Sequence, residues 1–382
     1  MEVYRFKAGD QDVTLRFDLT VPLSRVVAAY PEIIKPFKRY QIGPVWRKEK
    51  PQAGRFREFA QFDADIVGSD STLADAEIIV LMYETFRNLG LENFVIRFND
   101  RKILNGLSEV AGFKKEKAMD VFRILDKLEK VGLDETVKEL KRKPENEFDE
   151  SALALTDSSI IEIKEFLALS EKSTDLIEKL KDFFRGVTIA EEGIQECEEI
   201  IRYLKVLDIP EKNWKFDLSI ARGLGYYTGP VFETTLTDLP GIGSVFSGGR
   251  YDELVMRYTG EKIPATGASV GVDRLIAALE KLGKIKKTVA TAKVLLTIID
   301  QRFVEKTLRL AQRMRKDGIN PEIYLAKGNN LREQLIYAAK RNIPFITILG
   351  EEENNAGKIK LKDMTKREEF LLTEEEVINR LS

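Results

Sequence analysis

Arg39, Gln41 and Arg47 share one alternation, and Arg57, Phe59, Gln61, Asp63 and Asp65 share another, in the stretch RYQIGPVWRKEKPQAGRFREFAQFDADIVG from Arg39 to Gly68. Guanidinium groups grip carboxylates and phosphates through paired donors, and an aromatic ring stacks on a planar base. An amide beside two acids can take the polar end of a small ligand. Spacing by two puts each set on one face of a β-strand. A polar strand face is most often simply solvated. Two adjacent strands with convergent polar faces read better as the floor of a site for a charged, planar ligand. The elements that must position these groups are a strand from about Phe37 to Arg47, a loop from Lys48 to Arg55 holding Pro51 and Gly54, and a return strand from about Phe56 to Ile66. The opposite face of the return strand, Phe56, Glu58, Ala60, Phe62, Ala64 and Ile66, is mostly apolar and suits a core.

Three further stretches carry candidate chemistry. Residues 221–233, ARGLGYYTGPVFE, set glycines and two tyrosines around Arg222, which permits close approach of backbone to a ligand or simply makes a tight loop. Ser244 to Asp252, SVFSGGRYD, reads as a glycine-dense turn leading into a helix. Thr266 to Leu275 is a strand of small residues running into a helix, with Arg274 at the helix start; an arginine there suits a triphosphate better than bare surface. Near the beginning, RFDLTVP offers Thr20 as a helix cap with Pro22 in the first turn, and Asp18 as a second cap residue.

Composition narrows the chemistry. The 382 residues include no histidine, which excludes imidazole bases, Ser-His and Cys-His pairs, and most zinc and haem sites. Catalysis must rest on Arg, Lys, carboxylates, backbone dipoles or a bound metal. The single cysteine, Cys197, excludes internal disulfides and cysteine-based zinc sites and suits the cytoplasm. A net charge of −2 excludes a globally basic nucleic-acid binder, so any RNA contact must come from local patches, and no DNA partner is expected. With 43% hydrophobic and 32% charged residues the chain reads as a soluble globular protein of roughly two or three domains, with no membrane span or signal peptide visible.

An arginine ending one strand, a loop with a glutamate, then R-x-F on the return strand resembles motif 2 of class II aminoacyl-tRNA synthetases. The wording GPVWRKEKPQAGRFREFAQFDADIVG is similar to histidyl-tRNA synthetases of the archaeal and eukaryotic style. The string RGLGYYTGPVFE resembles a histidine-specific motif of that family, with glycine at Gly225 where the family usually has aspartate, and TGASVGVDRL resembles motif 3.

The resemblance implies an α/β chain: an antiparallel class II catalytic sheet flanked by helices, a helical insertion, and a C-terminal α/β anticodon-binding domain. The implied division is 1–99 and 207–283 for the catalytic domain, 100–206 for the insertion leaning over the tRNA acceptor arm, 284–291 for a linker and 292–382 for the anticodon domain. A motif 1 segment would precede MEVYRFKAGD. The implied activity is ligation of L-histidine to tRNA(His) through a histidyl-adenylate, with ATP and Mg2+, in a cytoplasmic homodimer. Its alternative is a weak or inactive synthetase-like regulatory or tRNA-sensing protein. By the same resemblance Arg47 clamps the α-phosphate and the amino-acid carboxylate. Glu49 contacts adenine and Phe59 stacks on it, while Arg55 and Arg274 hold the terminal phosphates. Arg222 stands beside the reacting carboxylate, where relatives use a magnesium ion. Gln61 takes the substrate backbone end, Thr20 joins the histidine pocket, and Asp18, Asp65, Tyr226, Tyr227 and Tyr251 shape the imidazole slot.

Elsewhere the chain reads plainly. Met1 to Leu15 is a hairpin turning at Gly9-Asp10; Ser71 to Leu89 is a helix with Ile78, Leu81, Met82 and Phe86 on one stripe, closed by Gly90. Phe94 to Phe98 and Phe216 to Ser219 are short strands, with charged amphipathic helices between them. After Thr291 strand and helix alternate: 294–299, a helix over 304–316, 322–325, a helix over 331–341, 344–349, two strands and a last helix. Lys327, Asn329 and Asn330, in a loop after a strand, are either RNA contacts or a solvated turn.

Overall fold

A computed structural model describes residues 3–48, 56–125, 128–144, 149, 152–169, 175–220, 225–285, 290–326 and 329–382. The chain divides into two compact units, Met1–Ile285 and Lys286–Ser382.

The first unit opens with a hairpin, β1 (Arg5–Ala8) and β2 (Gln11–Thr14), turning through Gly9 at φ 61°. Helix α1 (Thr20–Ala29) follows. Thr20 lies in its first turn and does not cap it; the Asp18 carboxylate accepts the Val21 N–H at 3.0 Å and fills that role. A carboxylate is the better partner for the positive end of a helix.

Strands β3 (Phe37–Trp46) and β4 (Glu58–Val67) pair antiparallel, with Arg39 opposite Asp65 and Gln41 opposite Asp63. The two polar alternations therefore meet on one face, as their spacing requires. Helix α2 (Thr72–Asn88) is capped by Ser71, whose hydroxyl accepts the Leu73 N–H, and buries Ile78, Met82 and Phe86. After β5 (Phe94–Asp100) come the helices α3 (Arg101–Val110), α4 (Ala118–Leu125), α5 (Leu128–Val131), α6 (Leu133–Lys141), α7 (Asp157–Leu169), α8 (Leu176–Phe183) and α9 (Thr188–Val206). Then follow β6 (Trp214–Phe216), β7 (Pro230–Leu236), β8 (Phe246–Arg250), α10 (Met256–Thr259), β9 (Ala265–Gly271) and α11 (Val272–Lys281).

Seven strands form one sheet in the order β3-β4-β9-β8-β7-β5-β6, antiparallel except for the parallel pair β5–β6. The glycine-dense segment expected as a turn is β8, in the middle of this sheet. Glycine is a poor strand former in isolation, but here β7 and β9 hydrogen-bond it on both sides. The helices between β5 and β6 share a core with the sheet: Leu104, Leu107, Ile194 and Ile200 pack in one cluster with Ile78, Ile96 and Phe98.

The second unit contains β10 (Val294–Leu296), α12 (Val304–Lys316), β11 (Pro321–Ile323), α13 (Leu331–Lys340), β12 (Phe345–Ile348), α14 (Glu351–Asn355), β13 (Ile359–Asp363), β14 (Glu369–Leu372) and α15 (Glu374–Leu381). Its sheet runs β11-β10-β12-β13-β14, with β10 parallel to both neighbours and the last two strands antiparallel. The short acidic helix α14 is not anticipated by periodicity, because EEENN has no apolar stripe. Asn330 caps α13 by accepting the Arg332 N–H, Asn329 accepts from Gln301, and Lys327 lies outside the described residues.

Candidate active site

One cavity of about 400 Å³ opens over the face of β4, β9, β8 and β7. Asp18, Thr20, Arg47, Phe59, Gln61, Asp65, Tyr226, Tyr227, Tyr251 and Arg274 all line it. These residues are spread over 257 positions of sequence (18 to 274), and the sheet topology gathers them. Glu49, Arg55 and Arg222 lie outside the described residues.

Arg47 extends β3 past its last paired residue, where its N–H donates to the Arg57 carbonyl at 2.8 Å. Its guanidinium sits 4.4 Å from the Phe17 ring centre and 5.1 Å from that of Phe59. Nε donates to the Phe17 carbonyl at 3.1 Å and Nη2 to Gln61 Oε1 at 3.2 Å. A planar cation held this way is oriented before any ligand arrives. Arg274, in the first turn of α11, donates to the Ser244 carbonyl at 2.8 Å, and its neighbour Asp273 accepts the Ala60 N–H at 2.7 Å. That bond ties the start of the helix to β4.

The acids form a second group. Arg39 lies 2.9 Å from Asp65 Oδ2 and also donates to Gln41 Oε1 at 2.8 Å. The Tyr251 hydroxyl donates to Asp65 Oδ1 at 2.5 Å. Burial pushes the Asp65 carboxyl up to about 7, against the pull of Arg39 and Tyr251. Burial also raises Asp63, which accepts from Gln61 Nε2 at 2.8 Å, and Asp18, which the Tyr226 hydroxyl reaches at 3.5 Å. Tyr226 meets Tyr227 and Tyr251 edge-on, with ring centres 5.0 and 6.1 Å apart. Burial raises all three phenols, so they stay protonated and able to donate.

Glycine makes room for this constellation. A Cβ on Gly267 would stand 2.1 Å from Asp65 Oδ1, and one on Gly248 would stand 2.0 Å from the Gly267 carbonyl oxygen. The site thus combines arginines, buried acids and phenols around one space, a set able to hold a ligand with an anionic end and a polar ring. Alternation along β4 brings Asp63 onto the floor, but its burial and its Gln61 contact are visible only in three dimensions. Phe17 and Ser269 also line the cavity, and nothing in their local sequence marks them.

The sequence profile of the histidyl-tRNA synthetase family matches residues 2–275, and that of the anticodon binding domain matches residues 293–382. The chain belongs to the histidyl-tRNA synthetase family. The histidine--tRNA ligase of Clostridium tetani is 39% identical over 383 aligned residues, covering 99% of this chain and 84% of that protein. The Helicobacter pylori J99 enzyme of the same name is 42% identical over 366 residues, covering 95% of this chain and 80% of its own length. The crystal structure of histidyl-tRNA synthetase from Nostoc sp. PCC 7120 superposes with a TM-score of 0.79 at 32% identity, over 99% of this chain and 86% of that one. An ATP phosphoribosyltransferase regulatory subunit/histidyl-tRNA synthetase from Bacillus halodurans shares the fold, with a TM-score of 0.69 at 23% identity over 88% of this chain and 81% of that one. The resemblance read from the motif 2 wording and from RGLGYYTGPVFE is thus a family membership.

Proposed function

We propose that this chain ligates L-histidine to tRNA(His) at the expense of ATP, and that the cavity over β4 is where it does so. In the first step a histidine carboxylate oxygen bonds to the α-phosphorus of ATP and pyrophosphate leaves. In the second, a ribose hydroxyl of the tRNA attacks the activated carbonyl and AMP leaves. Both steps concentrate negative charge, so oriented cations dominate the catalysis. The observation that carries the reading is the meeting of Arg47 and Arg274 with Asp18, Asp65 and the three tyrosines around one space.

In this reading Arg47 bridges the α-phosphate and the histidine carboxylate, Phe59 stacks on adenine and Arg274 holds the terminal phosphates. Glu49, Arg55 and Arg222 keep the adenine, phosphate and carboxylate roles that the family resemblance gives them. Gln61 takes the substrate's backbone end, and Thr20 joins the histidine pocket. The imidazole has two ring nitrogens and needs a partner for each, and an acid with a phenol supplies them. A site that hydrogen-bonds both nitrogens rejects apolar analogues strongly, because its own buried groups would be left unpaired. Magnesium would enter bound to the phosphates of ATP. The insertion over 100–206 and the C-terminal unit are assigned to the acceptor arm and the anticodon, and the chain to a cytoplasmic homodimer. A purely monomeric species in light scattering would remove the dimer.

Histidine-dependent ATP–pyrophosphate exchange on the purified protein tests the proposal. Arg47→Ala is expected to raise the barrier by about 2.7–4 kcal/mol, a loss of roughly 10²–10³ in exchange rate. Near-normal exchange in that variant would remove Arg47 from the chemistry.

A further inference from the structure

Arg250, the last residue of β8, precedes Tyr251 but is not part of the cavity lining. It is 4% exposed, and the Asp75 it meets on α2 is fully buried. Nη2 and Nε reach Asp75 Oδ2 at 2.5 and 3.0 Å. Nη1 donates to the Ser69 carbonyl at 2.9 Å and Nη2 to the Ser71 carbonyl at 3.0 Å, at the entry to α2. On its backbone side, the Arg250 carbonyl accepts the Thr228 N–H at 2.8 Å, and the Asp252 N–H donates to Thr228 Oγ1 at 3.1 Å. The Tyr251 N–H donates to the Ala265 carbonyl at 2.7 Å. Arg250 is therefore bonded to α2 and its entry through its buried guanidinium and, through its backbone carbonyl, to the segment carrying Tyr226 and Tyr227.

Stability alone gives no reason for such a pair. Apolar side chains of similar volume can replace a buried ion pair with little loss, whereas directional bonds fix register. We propose that the Arg250–Asp75 pair is a positioning device for the tyrosine-lined end of the cavity. It holds Tyr251 against Asp65, holds Tyr226 and Tyr227 through Thr228, and so sets the affinity for histidine and not for ATP. This rests on the reading of the cavity given under Proposed function.

The test is Asp75→Asn, which keeps the side-chain shape, removes the charge and touches nothing in the cavity lining. Steady-state pyrophosphate exchange gives the KM for histidine, the KM for ATP and kcat, and thermal unfolding is measured beside them. The expected result is a histidine KM raised roughly 2- to 30-fold, with the ATP KM and kcat little changed. A lowered melting temperature with an unshifted histidine KM overturns the proposal. The double variant Asp75→Leu/Arg250→Met separates the two roles further. It is expected to recover stability but not histidine affinity, and recovery of both overturns the proposal. Should Asp75→Asn fail to fold, Gly229→Ala is read by the same criteria: its Cβ would stand 3.1 Å from Arg250 Cδ and shift the arginine stem with both charges intact. Absence of exchange in the wild-type protein sinks the parent reading and this inference with it. Normal wild-type exchange with unshifted variants sinks this inference alone.

Discussion

The two sheets of this chain use their strand positions in opposite ways. In the first unit β8 and β9 read FSGGR and ATGASVG, and the space those small residues leave is occupied by the carboxyl of Asp65 and by the cavity. In the second unit β10 and β12 read VLL and FITI, and successive residues serve cores on the two faces. Val294 and Leu296 pack into one cluster with Leu310 and Met314, while Leu295, Ile346 and Ile348 pack into another with Ala338 and Ile343. A strand with both faces filled by branched side chains secures its domain but leaves no volume for a ligand. The candidate site is made as much by omitted side chains as by charged ones.

The filled sheet should respond most strongly to a cavity. Leu296 is completely buried, and Leu296→Ala should cost about 2–5 kcal/mol of stability in denaturant unfolding. Pyrophosphate exchange per folded molecule should be unchanged, because the cavity lies wholly within the first unit. Impaired exchange in a folded Leu296→Ala protein would break the division of labour between the two sheets.

The same contrast separates what local pattern specifies from what it does not. Alternation on β4 marks the floor of the site directly, and the strand–helix alternation after Thr291 places a helix over 304–316, the bounds of α12. The hairpin turn at Gly9 and the stripe of α2 were equally legible. Local pattern failed where tertiary partners override it. FSGGR reads as a turn because glycine is a weak strand former, yet two neighbouring strands make it central to the sheet. Of the two caps that RFDLTVP offers before α1, Thr20 and Asp18, the Asp18 carboxylate takes the bond. The Ala60–Asp273 hydrogen bond and the Arg250–Asp75 pair join residues far apart in sequence, and no window of sequence contains both partners.

A smaller effect is expected from refilling the emptied sheet. The Cβ of Gly267→Ala would stand 2.1 Å from Asp65 Oδ1 and 2.7 Å from the Ala64 carbonyl oxygen, so Asp65 must move. Overpacking of this kind costs about 1–3 kcal/mol. The displaced carboxyl should also weaken histidine binding, seen as a raised KM for histidine. A variant with both the melting temperature and that KM of the wild type would show that the glycine is not what makes room.

A further effect is electrostatic, and it has opposite signs in the two units. Burial lifts Asp65 to about 7, although Arg39 and the Tyr251 hydroxyl pull it down. An unfolded aspartate titrates near 3.9, so the folded state holds this proton more tightly than the unfolded chain does. The stabilisation is then fully present below about pH 4 and is lost as pH rises through about 7, at up to roughly 1.4 kcal/mol per pH unit. Glu353 in the second unit behaves the other way. Burial raises its carboxyl, but the Lys360 ammonium at 3.0 Å and the backbone N–H of Gly350 outweigh that and leave it below its ordinary value. Its contribution is present above the unfolded glutamate range, near 4.3, and is lost as pH falls through its folded value. Urea unfolding measured from pH 3 to 8 on the wild type, Asp65→Asn and Glu353→Gln separates the two. Asp65→Asn should remove a decline in stability on the way to neutral pH, and Glu353→Gln a decline on the way to acid. If Asp65→Asn leaves the neutral limb of the curve as it was, the carboxyl is already ionised in the folded protein, and Arg39 rather than burial sets its charge.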